Sequence, residues 1–323
     1  MNMKKYVSLV LAVFLTVGVF AAPGSASDGF PSRAVTMIVP WAAGGGSDLG
    51  GRFIQPYLEE YLGVPVNIIN PAGAGGWVGL EQLLAAPNDG YMFAMINSPA
   101  VFMGYLDPGA GRAHTIHSFE LLANHVADYW TMVGRPGAWD SIEAFIEYAR
   151  ENEVTVGTSG VGAPGSMVVE MLRYHMDLNL TVVPFGGWSE IYAATLGGHV
   201  DIGTGGVGES FVAVQGGELE ALAVFAPERS QFYPDVRAWP EIFPQYPIVV
   251  LSSRGFGVRA GTDPEIVATL TSALNHAINN PEGIQNLADI GLYVSYMDAY
   301  TYTSFMHQEE GNLRDLFSIT LGW

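Results

Sequence analysis

The chain has 323 residues, 49% of them hydrophobic, with 32 acidic against 13 basic side chains for a formal net charge of −19, and it contains no cysteine. That length exceeds one small core and predicts two lobes. The charge excludes nucleic acid and anionic lipid surfaces as partners, and the missing thiols exclude disulfides and a lipidated cysteine.

Met1 to Lys5 form a short basic start, and Tyr6 to Phe20 is an apolar run too short for a comfortable membrane span. This predicts a secretory signal over residues 1–26, processed after Ala26, and a free periplasmic protein. Residues 1–26 hold two bases and no acids, so their removal takes the charge from −19 to −21. An anionic guest would meet an opposing global field, and oriented local dipoles would have to hold it.

Val35, Met37 and Val39 alternate with Thr36 and Ile38 as a strand, and Pro40 blocks further ladder pairing. Gly44 to Gly46 then open a helix, with Ser47 or Asp48 as the expected cap. Free N–H groups and the positive dipole end make this turn an anion cradle. The competing reading is a glycine turn that only packs tightly. Leu49, Phe53, Tyr57, Leu58 and Tyr61 recur at helical spacing up to Gly63, and Pro56 predicts a kink or an early end. Val66 to Ile69 is a second strand, Asn70 to Gly76 a second glycine loop, Trp77 to Ala85 a helix, and Tyr91 to Ile96 a third strand ending at Asn97-Ser98. This alternation predicts an α/β sheet with ligands at the carboxyl ends of its parallel strands.

Residues 104–118 form an irregular connection where the chain could leave the first lobe. Tyr129 to Val133 reads as a strand, and Asp140-Ser141 caps a helix whose Ile142, Phe145, Ile146 and Ala149 share a face. Val154 to Val156, the loop Gly157 to Gly165 and a helix capped by Ser166 repeat the opening arrangement. Thr181 to Pro184, His199 to Ile202 and Leu222 to Phe225 continue the strands, with Gly203 to Gly208 as a loop. Ile248 to Leu251 and Gly255 to Val258 read as the return crossing. A helix from Asp263-Pro264 to Ile278 and an amphipathic stretch from Tyr300 to Phe317 close the chain.

Gly160-x-Gly162-x-x-Gly165 and Gly203-x-Gly205-x-x-Gly208 both match a dinucleotide fingerprint, but the strand after the first ends at Pro184-Phe185 without the acidic residue that would hold a ribose. No serine stands in a nucleophile elbow. Asp201, a strand-end carboxylate, is read equally as an orienter of loop N–H groups or as an acceptor for a guest ammonium or hydroxyl.

Taken together, Phe30 to Arg33, the cradle with Asp48 and Arg52, Asn70 to Gly76, Asn88 to Tyr91, Gly157 to Gly162, Val183 to Gly186 and Gly197 to Asp201 resemble the extracytoplasmic solute receptors of tripartite tricarboxylate transporters, the Bug family. The resemblance implies a two-lobed periplasmic binding protein of the α/β class that closes on a small organic anion and delivers it to a membrane permease. It implies a first lobe over residues 27–124 and 251–323 and a second over 125–250. Trp41, Ala43, Gly46, Ser47 and Asp48 would line one wall, with Ala74, Gly75 and Ser98 beside them, while Thr158, Ser159, Gly162, Phe185, Gly186 and Asp201 would close from the other lobe. The family usually carries a tyrosine and a lysine where this chain has Phe185-Gly186. The expected guest is therefore a carboxylate, a dicarboxylate or an aromatic acid, with Trp41 and Trp188 against a less polar far end. Capture by main-chain amides needs no basic side chain. No catalysis, cofactor or metal is expected, and the chain should act as a monomer; the alternative is a secreted enzyme acting on a carboxylated small molecule.

Overall fold

The computed structural model describes residues 29–160, 163–246 and 248–320, so the signal segment over 1–26 and Gly162 lie outside the described residues. In the first lobe, β1 (Val35–Ile38) lies parallel between β2 (Val66–Ile69) and β3 (Met92–Ser98). The second lobe repeats this arrangement, with β5 (Val154–Thr158) parallel between β6 (Leu180–Pro184) and β7 (Ile202–Gly206). Two antiparallel strands join the halves: β4 (Phe119–Gly134), which also carries β8 (Glu220–Phe225), and β9 (Leu251–Arg259). The sheet runs β2-β1-β3-β9-β4-β7-β5-β6, with β10 (Val294–Asp298) returning onto β4. It is thus mixed, with parallel triplets outside and antiparallel strands between them.

β4 is the spine of the molecule. Through Tyr129 it pairs with β9, and from Trp130 it pairs with β7 and β8. Register shifts between Leu121 and Ala123 and between Asn124 and Val126 let one long strand follow both twisted halves. The chain therefore leaves the first lobe along a strand. Residues 104–118 stay in that lobe, where Tyr105 packs edge-on against Trp77 and Ile116 is buried. One buried cluster runs from Ile38, Trp77 and Ile96 through Trp130 and Met132 to Val156 and Leu172, so apolar burial is continuous across the junction.

Helix α1 (Gly46–Leu62) continues through Pro56 without a break and stops at Gly63, which takes the left-handed φ of 69°. Pro56 is exposed, so the missing helical N–H falls on the solvent face of the helix. Ile54, Leu58 and Leu62 are buried on either side and hold the helix to the sheet. The stretch Gly203 to Gly206, expected as a loop, is strand β7. Its glycines serve close approach, because a Cβ at Gly203 would stand 2.5 Å from Thr195 Oγ1 and one at Gly205 would stand 2.5 Å from the Trp188 ring.

Candidate functional site

The carboxyl ends of both parallel triplets meet between the lobes. There a small cavity is lined by Trp41, Ala42, Gly45, Ser47, Asn97 and Ala100 on one side and by Trp130, Ser159, Pro164, Gly187, Trp188 and Glu209 on the other, with Ser252 and Arg254 on β9. The walls touch at their rim. Ala42 N–H donates to the Gly186 carbonyl at 3.1 Å, and Ser189 Oγ donates to the Ala43 carbonyl at 3.2 Å. The lobes of this structure are therefore closed upon each other.

The cradle forms, though its parts differ in role from the sequence expectation. Gly44 takes the left-handed φ of 82°, Gly45 is the cap residue without a side-chain bond, and Gly46 begins α1. Asp48 does not cap by the expected geometry; it lies in the first turn and ties the loop together. Its Oδ2 accepts from Gly44 N–H at 2.9 Å and Arg52 Nε at 2.8 Å, and its Oδ1 accepts from Asn70 Nδ2 at 3.0 Å. Burial raises the carboxyl, and the bonds from Arg52, Gly44 and Asn70 together outweigh it, so Asp48 stays below the ordinary carboxylate range. Ser47 Oγ accepts from Asn97 Nδ2 at 3.1 Å and faces the cavity.

The N-terminus of α1 is met by a carboxylate of the protein itself. Glu209, in α4 (Val207–Gln215) of the second lobe, accepts from Gly206 N–H at 3.0 Å and from Gly46 N–H at 3.2 Å. The positive end of one lobe's helix is thus engaged by an anion from the other. Beside it lies Arg254, 2% exposed, whose Nη2 stands 3.4 Å from Glu209 Oε1 and 3.6 Å from Asp128 Oδ2. Asp128, on β4, accepts from Gly208 N–H at 3.1 Å, and burial pushes its carboxyl up to about 7 against the pull of Arg254. Burial, with the charge of Arg254 added, holds the His125 imidazole down at about 3, neutral at pH 7.

Several buried polar atoms at the cavity have no hydrogen-bond partner: Trp41 Nε1, Trp130 Nε1, Asn97 Oδ1, and both Nη1 and Nη2 of Arg254. Four of these five are donors, so the chemistry of the walls suits an acceptor-rich guest. The indoles of Trp41, Trp130 and Trp188 supply apolar faces for the remainder of such a guest.

Of the residues expected at the site, Trp41, Ser47 and Ser159 line the cavity, as does Trp188. Ala43, Gly46 and Gly186 make the bonds that join the lobes at its rim. Gly75 faces Gly160 of the opposite lobe, while Ala74 is exposed in the same turn. Thr158 is fully buried and accepts from Ser166 Oγ at 3.0 Å, so it braces the start of α2 (Pro164–Met176), which Ala163 and not Ser166 caps. Ser98 is buried at the end of β3, and Phe185 packs beside Trp188 and Ile191. Asp201 stands at the far end of the strands: its Oδ2 accepts from Thr155 N–H at 2.9 Å and Thr155 Oγ1 at 2.7 Å, joining the starts of β5 and β7. It receives nothing from the cavity side, because it belongs to the amino and not the carboxyl ends of the sheet. Arg254, Glu209, Trp130 and Asn97 escaped the sequence reading. The one signal for Arg254 was a charge inside a returning strand, Ser252-Ser253-Arg254-Gly255.

A two-lobed α/β protein with a donor-lined cavity between its lobes is the architecture of a solute-binding receptor. The chain belongs to the tripartite tricarboxylate transporter family receptors, whose family model matches residues 51–317. BugT of Bordetella pertussis is 28% identical over 298 residues, 90% of each chain. Among solved structures, the periplasmic binding protein BugD matches with a TM-score of 0.84 at 24% identity, over 90% of this chain and 98% of that one. MatC from Rhodopseudomonas palustris, with bound malate, matches with a TM-score of 0.82 at 24% identity, over 88% and 99% of the two chains. The structural likenesses establish the periplasmic binding protein fold, and the family is one of binding proteins rather than enzymes.

Proposed function

We propose that this protein is exported to the periplasm, captures a small organic carboxylate between its lobes, and delivers it to the membrane permease of a tripartite tricarboxylate-type transporter. It acts as a monomer and performs no chemistry on its guest. The observation that carries this reading is the set of partnerless donors on the cavity wall, Trp41 Nε1, Trp130 Nε1 and the two terminal nitrogens of Arg254, beside the N-terminus of α1. A carboxylate satisfies such donors and gains from the helix end. The malate held by MatC supports the same class of guest. The lobes, over residues 27–124 with 251–323 and over 125–250, close about the two strands that join them.

A thermal-shift screen over mono- and dicarboxylates tests this directly, since a guest at 100 times its Kd adds about 2.7 kcal/mol of stability. Scattering should show a more compact particle with the best guest than without it. A library in which no acid stabilises the chain would overturn the reading, as would a best ligand that leaves the tube chemically altered.

A further inference from the structure

We infer that a single carboxylate of the guest pairs directly with the guanidinium of Arg254, and that this cavity selects monocarboxylates with a compact apolar body over dicarboxylates. The inference rests on the receptor reading and departs from capture by main-chain amides alone.

Three observations lead to it. Arg254 is among the largest fully buried side chains in the structure, yet Nη1 and Nη2 have no hydrogen-bond partner, and the side chain lines the cavity. Its contacts with Glu209 at 3.4 Å and Asp128 at 3.6 Å are ion pairs without a hydrogen bond, so the fork that suits a carboxylate is unspent. Second, the guanidinium sits where the lobes meet. A Cβ at Gly46 of the first lobe would stand 2.9 Å from Nη1, and one at Gly206 of the second would stand 3.0 Å from Nη2. A guest held there contacts both lobes at once. Third, Arg254 is the one cation among the described residues that line the cavity, and Glu209 already opposes it there. A second guest carboxylate would find no second cation there, only neutral donors such as Ser47, Ser159 and the indoles, beside an existing negative charge.

Glu209 is then the guest's internal competitor. It holds both the guanidinium and Gly46 N–H, the two groups a guest carboxylate would seek. Glutamine at this position can keep the Gly206 bond through its carbonyl oxygen while surrendering its charge.

The test is calorimetric titration of the full mature chain with butanoate, benzoate, succinate and malate. Wild-type protein is expected to bind the best monocarboxylate at least about 10-fold more tightly than either dicarboxylate, and Arg254→Gln to weaken that binding by about 30-fold or more. Arg254→Lys, which keeps the charge and loses the fork, should fall between the two. Because Arg254→Gln leaves two buried acids facing each other and can fail to fold, Glu209→Gln provides an independent arm: it should tighten monocarboxylate binding several-fold. Unchanged affinity in a folded Arg254→Gln, dicarboxylates bound as tightly as monocarboxylates, or weaker binding in Glu209→Gln would each overturn the inference while leaving the receptor reading intact. Wild-type protein that binds no carboxylate would overturn both.

Discussion

The contact between Gly46 and Glu209 gives a way to load the approach of the two lobes without touching either core. In Gly46→Ala the added methyl would stand 2.7 Å from Glu209 Cγ and 2.9 Å from Arg254 Nη1, against an ordinary carbon contact of about 3.5–4.0 Å. Glu209 cannot easily yield, because Gly206 N–H at 3.0 Å and Gly46 N–H at 3.2 Å both hold its carboxylate. The first lobe must therefore stand off by roughly 1 Å at this point. Gly46 takes no left-handed φ, so alanine adds no backbone strain, and the first lobe keeps or gains stability. The cost falls on closure alone. Overpacking of this kind costs about 1–3 kcal/mol, which is about a 5- to 150-fold rise in the Kd of the best carboxylate. Calorimetric titration measures the Kd, and urea unfolding of the empty chain measures lobe stability. A Kd within 2-fold of wild type (about 0.4 kcal/mol) would refute the reasoning, and so would a loss of empty-chain stability as large as the loss of affinity.

Asp48→Asn removes the charge that Arg52 and Gly44 N–H share while leaving one acceptor, so it should cost about 1–2 kcal/mol in urea unfolding and change guest affinity little. Asp201→Ala, which frees Thr155 N–H and its hydroxyl far from the cavity, should cost about 1–2 kcal/mol of stability with the Kd unchanged; a Kd raised tenfold would return Asp201 to the site. The buried pair on β4 predicts a pH signature. Asp128 keeps its proton in the folded chain up to about 7 but releases it near 3.8 when unfolded, so its contribution is lost as pH rises through that window. His125 does the reverse, taking up a proton near 6.5 only when unfolded and near 3 when folded, so its contribution is gained as pH rises from 3 to 6.5. The two slopes oppose each other in wild-type protein, and Asp128→Asn should leave a stability that climbs more steeply with pH between 4 and 6.5. Parallel pH profiles for variant and wild type would contradict this.

Local signals were legible in the sequence, and partnerships between distant elements were not. The helix Trp77–Ala85 was legible from the glycine loop before it, and Ser141 and Asp263 cap their helices as their side chains predict. Each of these rests on chemistry within four residues. β4 was seen only as Tyr129 to Val133, because Asn124, His125 and Asp128 break the apolar pattern; they are buried in partnerships with β10, β9 and α4 that no local window contains. β7 was taken for a loop because its glycines look like turn residues, when Trp188 and Thr195 from α3 (Trp188–Leu196) demand them. Arg254 failed to register for the same reason. An arginine between serines and a glycine looks solvated until Glu209 and Asp128 arrive from two other elements to bury it.

That burial also reconciles the acidic chain with an anion site. A formal charge of −19 spread over the surface acts on a guest through solvent, where a Debye length of about 10 Å at 0.1 M salt mutes it. Arg254, with 2% of its surface exposed, and the first N–H of α1 act across a few ångströms with little water between, where each charge counts for several times more. Glu209 already exploits this: a carboxylate from an acidic lobe lies against the helix end of another acidic lobe and holds the two together. The contact that joins the two lobes and the contact that would hold a carboxylate guest therefore draw on the same donors, at a site already shaped for that chemistry.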